Sequence, residues 1–276
     1  MKAIPKPRPD GIVRFGKRKA RRDDRNLMFA ALLKAPPVLP AEYDFDVVHH
    51  GIPTPMFGND QYGDCVIAGR AHQTLRFEKA EQNKLIKISD SDVLHEYFNQ
   101  TGGVDSGLVV LDSLKEWRKR GWLAAKRRYR VKAFAQIDQA RRNEVKRAVF
   151  MDIGVGLGFS LPDAALTQCY AGKPWAVVSG KAGQPNPHNG HYVYVPGYTK
   201  SGPVCVTWGR KQQMSWAFLV KYCDEAYAII DAIDTAKKKR ALDAGKLDAF
   251  LSALRNRKPA SSKQTAAHER AVSKKP

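Results

Sequence analysis

The period of the apolar residues changes once along the chain, and this change constrains the fold more than any other sequence feature. Between residues 64 and 121 apolar side chains recur every three or four positions, which is typical of amphipathic helices. From residue 129 they mostly alternate with polar side chains, as in half-buried strands. Helices followed by mainly antiparallel strands predict an α+β domain. The main predicted helices cover 64–81, 90–100 and 106–121, and the predicted strands cover 129–137, 153–159, 191–196, 204–208 and 226–230. Between the second and third strands, 161–188 holds four prolines and predicts a long loop.

The net charge of +20 is concentrated at the two ends of the chain. Residues 1–34 carry 11 Lys and Arg against 3 Asp, and residues 236–276 carry 12 basic against 3 acidic residues. The long middle segment is nearly neutral, with 24 basic and 21 acidic residues. The sequence therefore predicts a basic, mostly disordered arm (1–35), one domain (36–235), and a basic helix followed by a disordered tail (236–276).

The basic residues at the two ends predict contact with a polyanion. Flexible Lys and Arg arms neutralise phosphates without presenting a rigid element to a groove, so we expect nucleic acid binding without base specificity. The alternative is that the ends are solvated arms that only aid solubility. The residues expected to make the contact are Lys17, Arg18, Lys19, Arg21, Arg22, Lys237, Lys238, Lys239 and Arg240.

Composition argues against several other classes of protein. Four scattered cysteines without Cys-x-x-Cys spacing favour a reducing compartment over a disulfide scaffold. No apolar run reaches the ~20 residues that cross a bilayer, and the charged, proline-rich first residues lack the apolar core of a secretory signal. Gly154, Gly156 and Gly158 alternate within a strand with no helix after them, so they do not predict a dinucleotide site. We expect a cytoplasmic protein with no membrane contact and no cofactor.

Cys65 and His191 are the residues most suggestive of chemistry. Cys65 follows a turn-forming run of Gly, Asn and Asp and begins an amphipathic segment, so its thiol is expected on the first turn of a helix. Free N–H groups and the helix dipole favour a thiolate there. His191 lies at the start of a strongly β-forming run, and the pair fits nucleophilic catalysis. The alternatives are a buried core thiol and a structural histidine, or His188 as the base.

Five motifs in this order resemble the papain-like cysteine peptidase family over roughly residues 50–230. They are Cys65 at the head of a helix, Gly102-Gly103 before a helix, Gly190-His191-Tyr192-Val193, Gly197-Tyr198 and Thr207-Trp208-Gly209. The resemblance implies a papain-like fold, in which a helical half packs on an antiparallel β half. It implies cleavage of peptide or other amide bonds in a protein or peptide substrate, with Cys65 as nucleophile, His191 as base and Trp208 as a lid. The local Gly-Asp-Cys is closest to divergent bacterial and phage members, which makes a phage virion or host cytoplasm an alternative location.

Two positions depart from the family pattern. Val206 stands where the family has the asparagine that orients the histidine, and valine cannot accept a hydrogen bond from the ring. The oxyanion-hole glutamine is replaced by Asn59, with Gln61 two residues later, and either amide could donate to an oxyanion. Asp64 opposes a thiolate unless its carboxylate turns to the helix N–H groups. Val206 and the basic ends of the chain support a second hypothesis, a catalytically inactive papain-fold protein with a binding or structural role, for example in a virion or with nucleic acid.

Overall fold

The computed structural model describes residues 13–256. The helices are α1 (Phe29–Leu32), α2 (Phe45–Val48), α3 (Cys65–Gln82), α4 (Asp90–Thr101), α5 (Val110–Lys119), α6 (Arg142–Phe150), α7 (Asp163–Tyr170), α8 (Trp216–Tyr222), α9 (Ala236–Ala241) and α10 (Ala244–Asn256). The strands are β1 (Tyr43–Asp44), β2 (Trp122–Ala124), β3 (Arg127–Tyr129), β4 (Ala133–Gln136), β5 (Gly154–Ser160), β6 (Gly190–Tyr198), β7 (Pro203–Thr207), β8 (Arg210–Gln213) and β9 (Cys223–Ile230). Within residues 13–256, no helix combines the length and the apolar character needed to span a bilayer.

The central helix α3 is buried on all sides rather than along one stripe. Its first fourteen residues are buried and include charged side chains. Arg70 pairs with Glu96 of α4 at 2.9 Å, and Arg76 pairs with Asp46 of α2 at 2.6 Å. Because a buried charge is costly without a partner, these pairs fix α2 and α4 against α3. The helix ends at Asn83, which has a left-handed backbone conformation.

Helices α4 and α5 complete the helical half. A reciprocal pair of hydrogen bonds between Ser89 and Asp92 caps the start of α4, and Gly102 ends the helix with φ of +72°. Helix α5 buries Leu111, Leu114 and Trp117 on one face, as its apolar spacing predicts. The hairpin β2–β3 joins this half to the sheet.

The second half is an antiparallel sheet of seven strands in the order β4-β9-β5-β6-β7-β8, with β1 paired to Gly197 and Tyr198 at the end of β6. Helix α3 packs on β6. The alternating glycines of β5 make this close packing possible, because a Cβ at Gly154, Gly156 or Gly158 would lie within 3 Å of Gln73, Tyr192 or Lys17. The run of glycines therefore serves packing at the interface between the two halves.

The α+β fold predicted from the sequence is confirmed, and one buried cluster lies on each side of the main sheet. The predicted loop 161–188 differs in two respects, since α7 and a short 3-10 helix at Lys181–Gly183 lie inside it. Pro162 takes the position just before α7, where proline starts rather than breaks a helix.

The ends of the domain differ from the predicted boundaries. Within the arm predicted as disordered, residues 13–35 pack against the domain, and Phe29 and Leu32 are fully buried in the sheet cluster. Beyond the predicted boundary at 235, Ala241, Leu242 and Leu247 join the same cluster. Apolar residues hidden in basic segments explain both differences, because composition averages over them. The rest of the predicted ends, 1–12 and 257–276, lies outside the described residues.

Candidate active site

Cys65 is the first residue of α3, directly after a tight turn. The turn uses positive φ at Phe57 (+59°) and Gly58 (+85°) to bring the chain into the helix. Burial raises the pKa of the Cys65 thiol to about 12, while backbone hydrogen bonds from Tyr192 and Gly16 lower it. The bond from Tyr192 places the sulfur beside the strand that carries the candidate base. The thiol is therefore in contact with both halves and is protonated in this conformation.

His191 is the second residue of β6 and is fully buried. Its ring stacks on the indole of Trp208, with centroids 4.2 Å apart and planes 21° apart. The edge of Phe15 meets the ring at 5.9 Å. Burial lowers the pKa of His191 to about 3, so the imidazole is neutral. Trp208 thus covers the ring, as a lid would.

Thr207 provides a partner for His191 that the sequence analysis missed. Its hydroxyl oxygen lies 2.6 Å from Nε2 of the ring, while Nδ1 has no hydrogen-bond partner within residues 13–256. A hydrogen bond at Nε2 fixes the ring orientation and leaves Nδ1 for proton transfer. Val206, the position that the family pattern indicates, pairs with Tyr194 in the sheet. The sequence feature that could have predicted this partner is a hydroxyl residue directly before Trp208.

Neither predicted oxyanion amide points at the thiol in this conformation. The amide nitrogen of Asn59 donates to the Tyr62 carbonyl at 3.2 Å and to Asp64 Oδ1 at 3.0 Å. Gln61 is exposed on the turn. The Asp64 side chain does not cap α3, and burial raises its pKa well above the usual range. The condition under which Asp64 would not oppose a thiolate is therefore not met, because Asn59 holds its carboxylate instead.

Residues 14–18, here called the occluding segment, close the site by bridging its two walls. The hydrogen bonds run from Arg14 N to the Asn59 carbonyl (3.1 Å), from Gly16 N and Lys17 N to the Gly190 carbonyl (3.1 and 2.9 Å), from Leu108 N to the Gly16 carbonyl (2.7 Å) and from Arg18 N to the Leu108 carbonyl (2.9 Å). Gly16 lies so close that a Cβ there would fall 1.6 Å from the Gly63 carbonyl oxygen. The segment explains why both Cys65 and His191 are buried.

The basic residues predicted to contact a polyanion fall into two groups. Lys17 and Lys238 are buried, the first against Asp224 and the second against Glu81 and Asp234. Lys237 and Arg21 bind the carboxylates of Asp152 and Asp112. For the two buried lysines, Lys17 and Lys238, the structure differs from the expectation, because carboxylates of the protein already neutralise them. The exposed members are Arg18, Lys19, Arg21, Arg22, Lys239 and Arg240.

The remaining candidates for chemistry are His188 and a possible metal site. His188, the alternative base, is exposed on the loop before β6, and its backbone N–H bonds to Asn186. No group of three or more His, Cys, Asp or Glu side chains in the described part of the chain is arranged to hold a metal ion.

Solved structures that resemble this architecture include cysteine proteases. Xylellain, a cysteine protease from Xylella fastidiosa, matches 84% of this chain and 100% of its own, with TM-score 0.62 and 15% identity. Procathepsin B S9 from Trypanosoma congolense matches 79% of this chain and 87% of its own, with TM-score 0.55 and 12% identity. The Carica candamarcensis cysteine protease CMS1MS2, in complex with E-64, matches 70% of this chain and 99% of its own, with TM-score 0.54 and 12% identity.

These matches define the class of fold. The chain has the fold of the papain-like cysteine proteases, in a divergent form. At 12–15% identity the likeness extends to the fold alone. No family model matches the sequence, and a search of curated protein sequences gives no match.

Proposed function

We propose that the protein is a cysteine peptidase-like thiol hydrolase in which Cys65 is the nucleophile and His191 the general base. The observation that carries the proposal is the His191 ring. Its Nε2 is held by Thr207, its face is covered by Trp208, and its Nδ1 has no partner among the described residues. The next residue, Tyr192, bonds to the Cys65 sulfur through its backbone. This combination supports a base that is oriented beside a helix-terminal thiol.

The arrangement supports acyl transfer in two steps. Nδ1 of His191 takes the thiol proton, and the sulfur of Cys65 bonds to the substrate carbonyl carbon. The tetrahedral intermediate collapses as the C–N bond breaks, and Nδ1–H gives its proton to the leaving amine. A water molecule, deprotonated by the same nitrogen, then hydrolyses the thioester and releases the acid and the thiol. The N–H groups of the first turn of α3 would stabilise the oxyanion, with Gln61 as a second donor after a side-chain rotation.

The described conformation corresponds to a latent state of this enzyme. A substrate carbonyl must reach the Cys65 sulfur, and the occluding segment holds that space. Burial also favours the neutral forms of both groups, because it raises the pKa of Cys65 and lowers that of His191. Displacement of the segment would admit water and move both pKa values back toward a thiolate and an imidazolium.

Glycine substitution offers a direct way to open the site. Gly16→Ala places a methyl group against the Gly63 carbonyl and should displace the occluding segment. We expect iodoacetamide to label Cys65 much faster in this variant than in the wild type, and the opened variant to hydrolyse a labelled casein. Gly245→Ala, whose new Cβ would make only an ordinary contact with Asp243, is the matched control. Equal, slow labelling of all four cysteines in Gly16→Ala would overturn the proposal.

A second candidate is a papain-fold protein that has lost catalysis and binds nucleic acid. Val206 and the buried Asp64 favour it, and so do the exposed basic residues Arg18, Lys19, Arg21, Arg22, Lys239 and Arg240. This candidate predicts labelling of Cys65 in Gly16→Ala without hydrolysis of any peptide. It also predicts binding to duplex DNA that weakens with salt, with a slope of about −0.9 per phosphate neutralised. Gel-shift titrations of the full chain at two salt concentrations test this.

A further inference from the structure

Lys17 of the occluding segment fills a pocket that is built for a cation. Its side chain is 1% exposed, and its ammonium lies 2.8 Å from Asp224 Oδ1 and 3.4 Å from Glu225 Oε1. Ser160 donates a hydrogen bond to Asp224 at 3.0 Å, and the Tyr227 hydroxyl donates to Glu225 at 3.3 Å. These side chains hold the two carboxylates in place around the ammonium.

The shape of the pocket depends on a glycine of β5. A Cβ at Gly158 would lie 2.4 Å from Lys17 Cε and 2.6 Å from Glu225 Cγ. Gly158 pairs with Glu225 on β9 and with Tyr192 on β6, so the pocket is one residue away from the strand position of His191. A cavity of about 360 Å³, lined in part by Asp224, Glu225 and Tyr227, adjoins the carboxylates and leaves room for a longer side chain.

The backbone around Lys17 uses the polar groups that a substrate would need. The segment bonds to Leu108 on the helical wall and to Gly190 on the strand wall, and Gly16 reaches the Cys65 sulfur. In recognition of extended peptides, main-chain hydrogen bonds give affinity and side-chain pockets give specificity. A peptide that replaces the segment would offer the side chain next to the reacting residue to this same pocket.

We infer that this pocket selects a lysine or arginine of the substrate, so that the enzyme acts on basic peptides. The inference rests on the proposed function and names its substrate class. Once the segment leaves, Asp224 and Glu225 lose their cation, and Glu225 Oε1 has no hydrogen-bond donor within residues 13–256. Because the buried carboxylate of Glu225 is costly without a partner, a cationic side chain is favoured there over an apolar one of the same length.

The test uses the full chain opened by Gly16→Ala and a series of peptides that differ at one residue: Lys, Arg, norleucine or Leu. We expect kcat/KM for the Lys and Arg peptides to exceed that for norleucine by about tenfold or more. Glu225→Gln with Asp224→Asn should lower kcat/KM for the Lys and Arg peptides to about the value that the same variant shows for norleucine. Glu42→Gln, at an exposed carboxylate, is the control. Should Gly16→Ala fail to fold, Lys17→Ala opens the same pocket, with the exposed Lys19→Ala as its control.

A binding measurement separates failure of the inference from failure of the proposed function. A fluorescent peptide with the sequence of residues 14–19 and a copy with norleucine in place of Lys17 are titrated with the opened protein. Tighter binding of the lysine peptide without any hydrolysis would support the pocket and overturn the proposed function. Hydrolysis or binding with no preference for Lys or Arg would overturn the inference and leave the thiol hydrolase standing. Neither hydrolysis nor binding would overturn both.

Discussion

On the strand side of the cleft, His191 is held by side chains, whereas on the helix side Cys65 is held by backbone. Thr207 and Trp208 fix the imidazole through a hydrogen bond and a ring stack. The thiol has the start of α3 and backbone hydrogen bonds instead, and the nearest carboxylate, Asp64, is turned away to Asn59. Side-chain contacts are made by residue types that the sequence shows, whereas backbone hydrogen bonds depend on how the chain folds. Each side also departs from the family pattern at one position, Val206 on the strand side and Asn59 on the helix side. The comparison teaches that the places of Cys65 and His191 follow the pattern more closely than the polar groups around them.

The largest expected effect is loss of the nucleophile itself. In the opened Gly16→Ala chain, Cys65→Ala should lower kcat by about 10³-fold or more, since the chemistry needs the sulfur. Cys169→Ala removes another buried thiol, one in the sheet cluster, and should leave kcat nearly unchanged in the folded fraction. A casein hydrolysis assay on both variants measures the difference. Equal losses would mean that Cys65 acts only as a core residue.

On the helix side, substitution of Asn59 and of Gln61 separates a structural amide from a catalytic one. Asn59→Ala removes the donor to Asp64 and should lower the free energy of unfolding by about 1–3 kcal/mol. Gln61→Ala, on the exposed turn, should leave stability unchanged. If Gln61 supplies the second oxyanion donor, its loss should lower kcat by about 10²-fold. Urea denaturation and steady-state kinetics measure the two effects, and a stable, fully active Gln61→Ala would exclude Gln61 as the donor.

The strand side is tested at Thr207. Thr207→Val removes the hydroxyl that holds Nε2 while it keeps the branched shape, and we expect kcat to fall by about tenfold with KM little changed. Thr207→Ser retains the hydroxyl and should recover most of the activity. A merely structural role would lower stability in both variants without separating kcat from KM. Kinetics of the two variants in the Gly16→Ala chain decide between these roles.

The last expected effect is on the pH dependence of stability in the closed wild type. Burial holds the pKa of His191 near 3, below its unfolded value, so the unfolded chain binds an extra proton between about pH 6.5 and 3. Stability from this group is therefore complete above pH 6.5 and is lost as pH falls. Burial also raises the pKa of Glu225 to about 7, which acts in the opposite direction between pH 7 and 4.5.

Substitution isolates the histidine contribution. The unfolding free energy of the wild type, relative to that of His191→Gln, should fall by up to about 1.4 kcal/mol per pH unit below pH 6.5. His95→Gln, at an exposed ring on α4, should follow the wild type. Chemical denaturation at several pH values measures the curves. Parallel curves for wild type and His191→Gln would mean that the ring takes up its proton in the folded state.

The sequence predicts some elements well because their signal is local. The buried apolar face of α5 can be predicted from residues close together in the sequence. The same holds for the positions of Cys65 and His191 near the starts of their helix and strand. Helix α3 shows the limit, since its buried Arg70 and Arg76 look like surface residues until Glu96 and Asp46 are placed beside them. Prediction of the helix was possible, but prediction of its burial was not.

The occluding segment was missed for the same physical reason. Lys17 belongs to a basic run, and composition assigns such a run to solvent. Its burial depends on two carboxylates more than 200 positions later and on the space left by Gly158. Thr207 was missed because the family pattern points to its neighbour, Val206. Contacts that combine distant segments are set by the fold and leave no periodic trace.

The central claim is that Cys65 and His191 form a pair that residues 14–18 close off. Its most direct test is the pH dependence of Cys65 alkylation, measured by mass spectrometry. The proteins compared are the wild type, Gly16→Ala, and Gly16→Ala with His191→Ala. In the wild type we expect Cys65 to react only at high pH, because burial raises its pKa to about 12. In the opened chain the midpoint should fall below the value of about 8.5 typical of a free thiol, and His191→Ala should return it to that value or above. An opened chain whose Cys65 titrates like a free thiol, with or without His191, would contradict the pair.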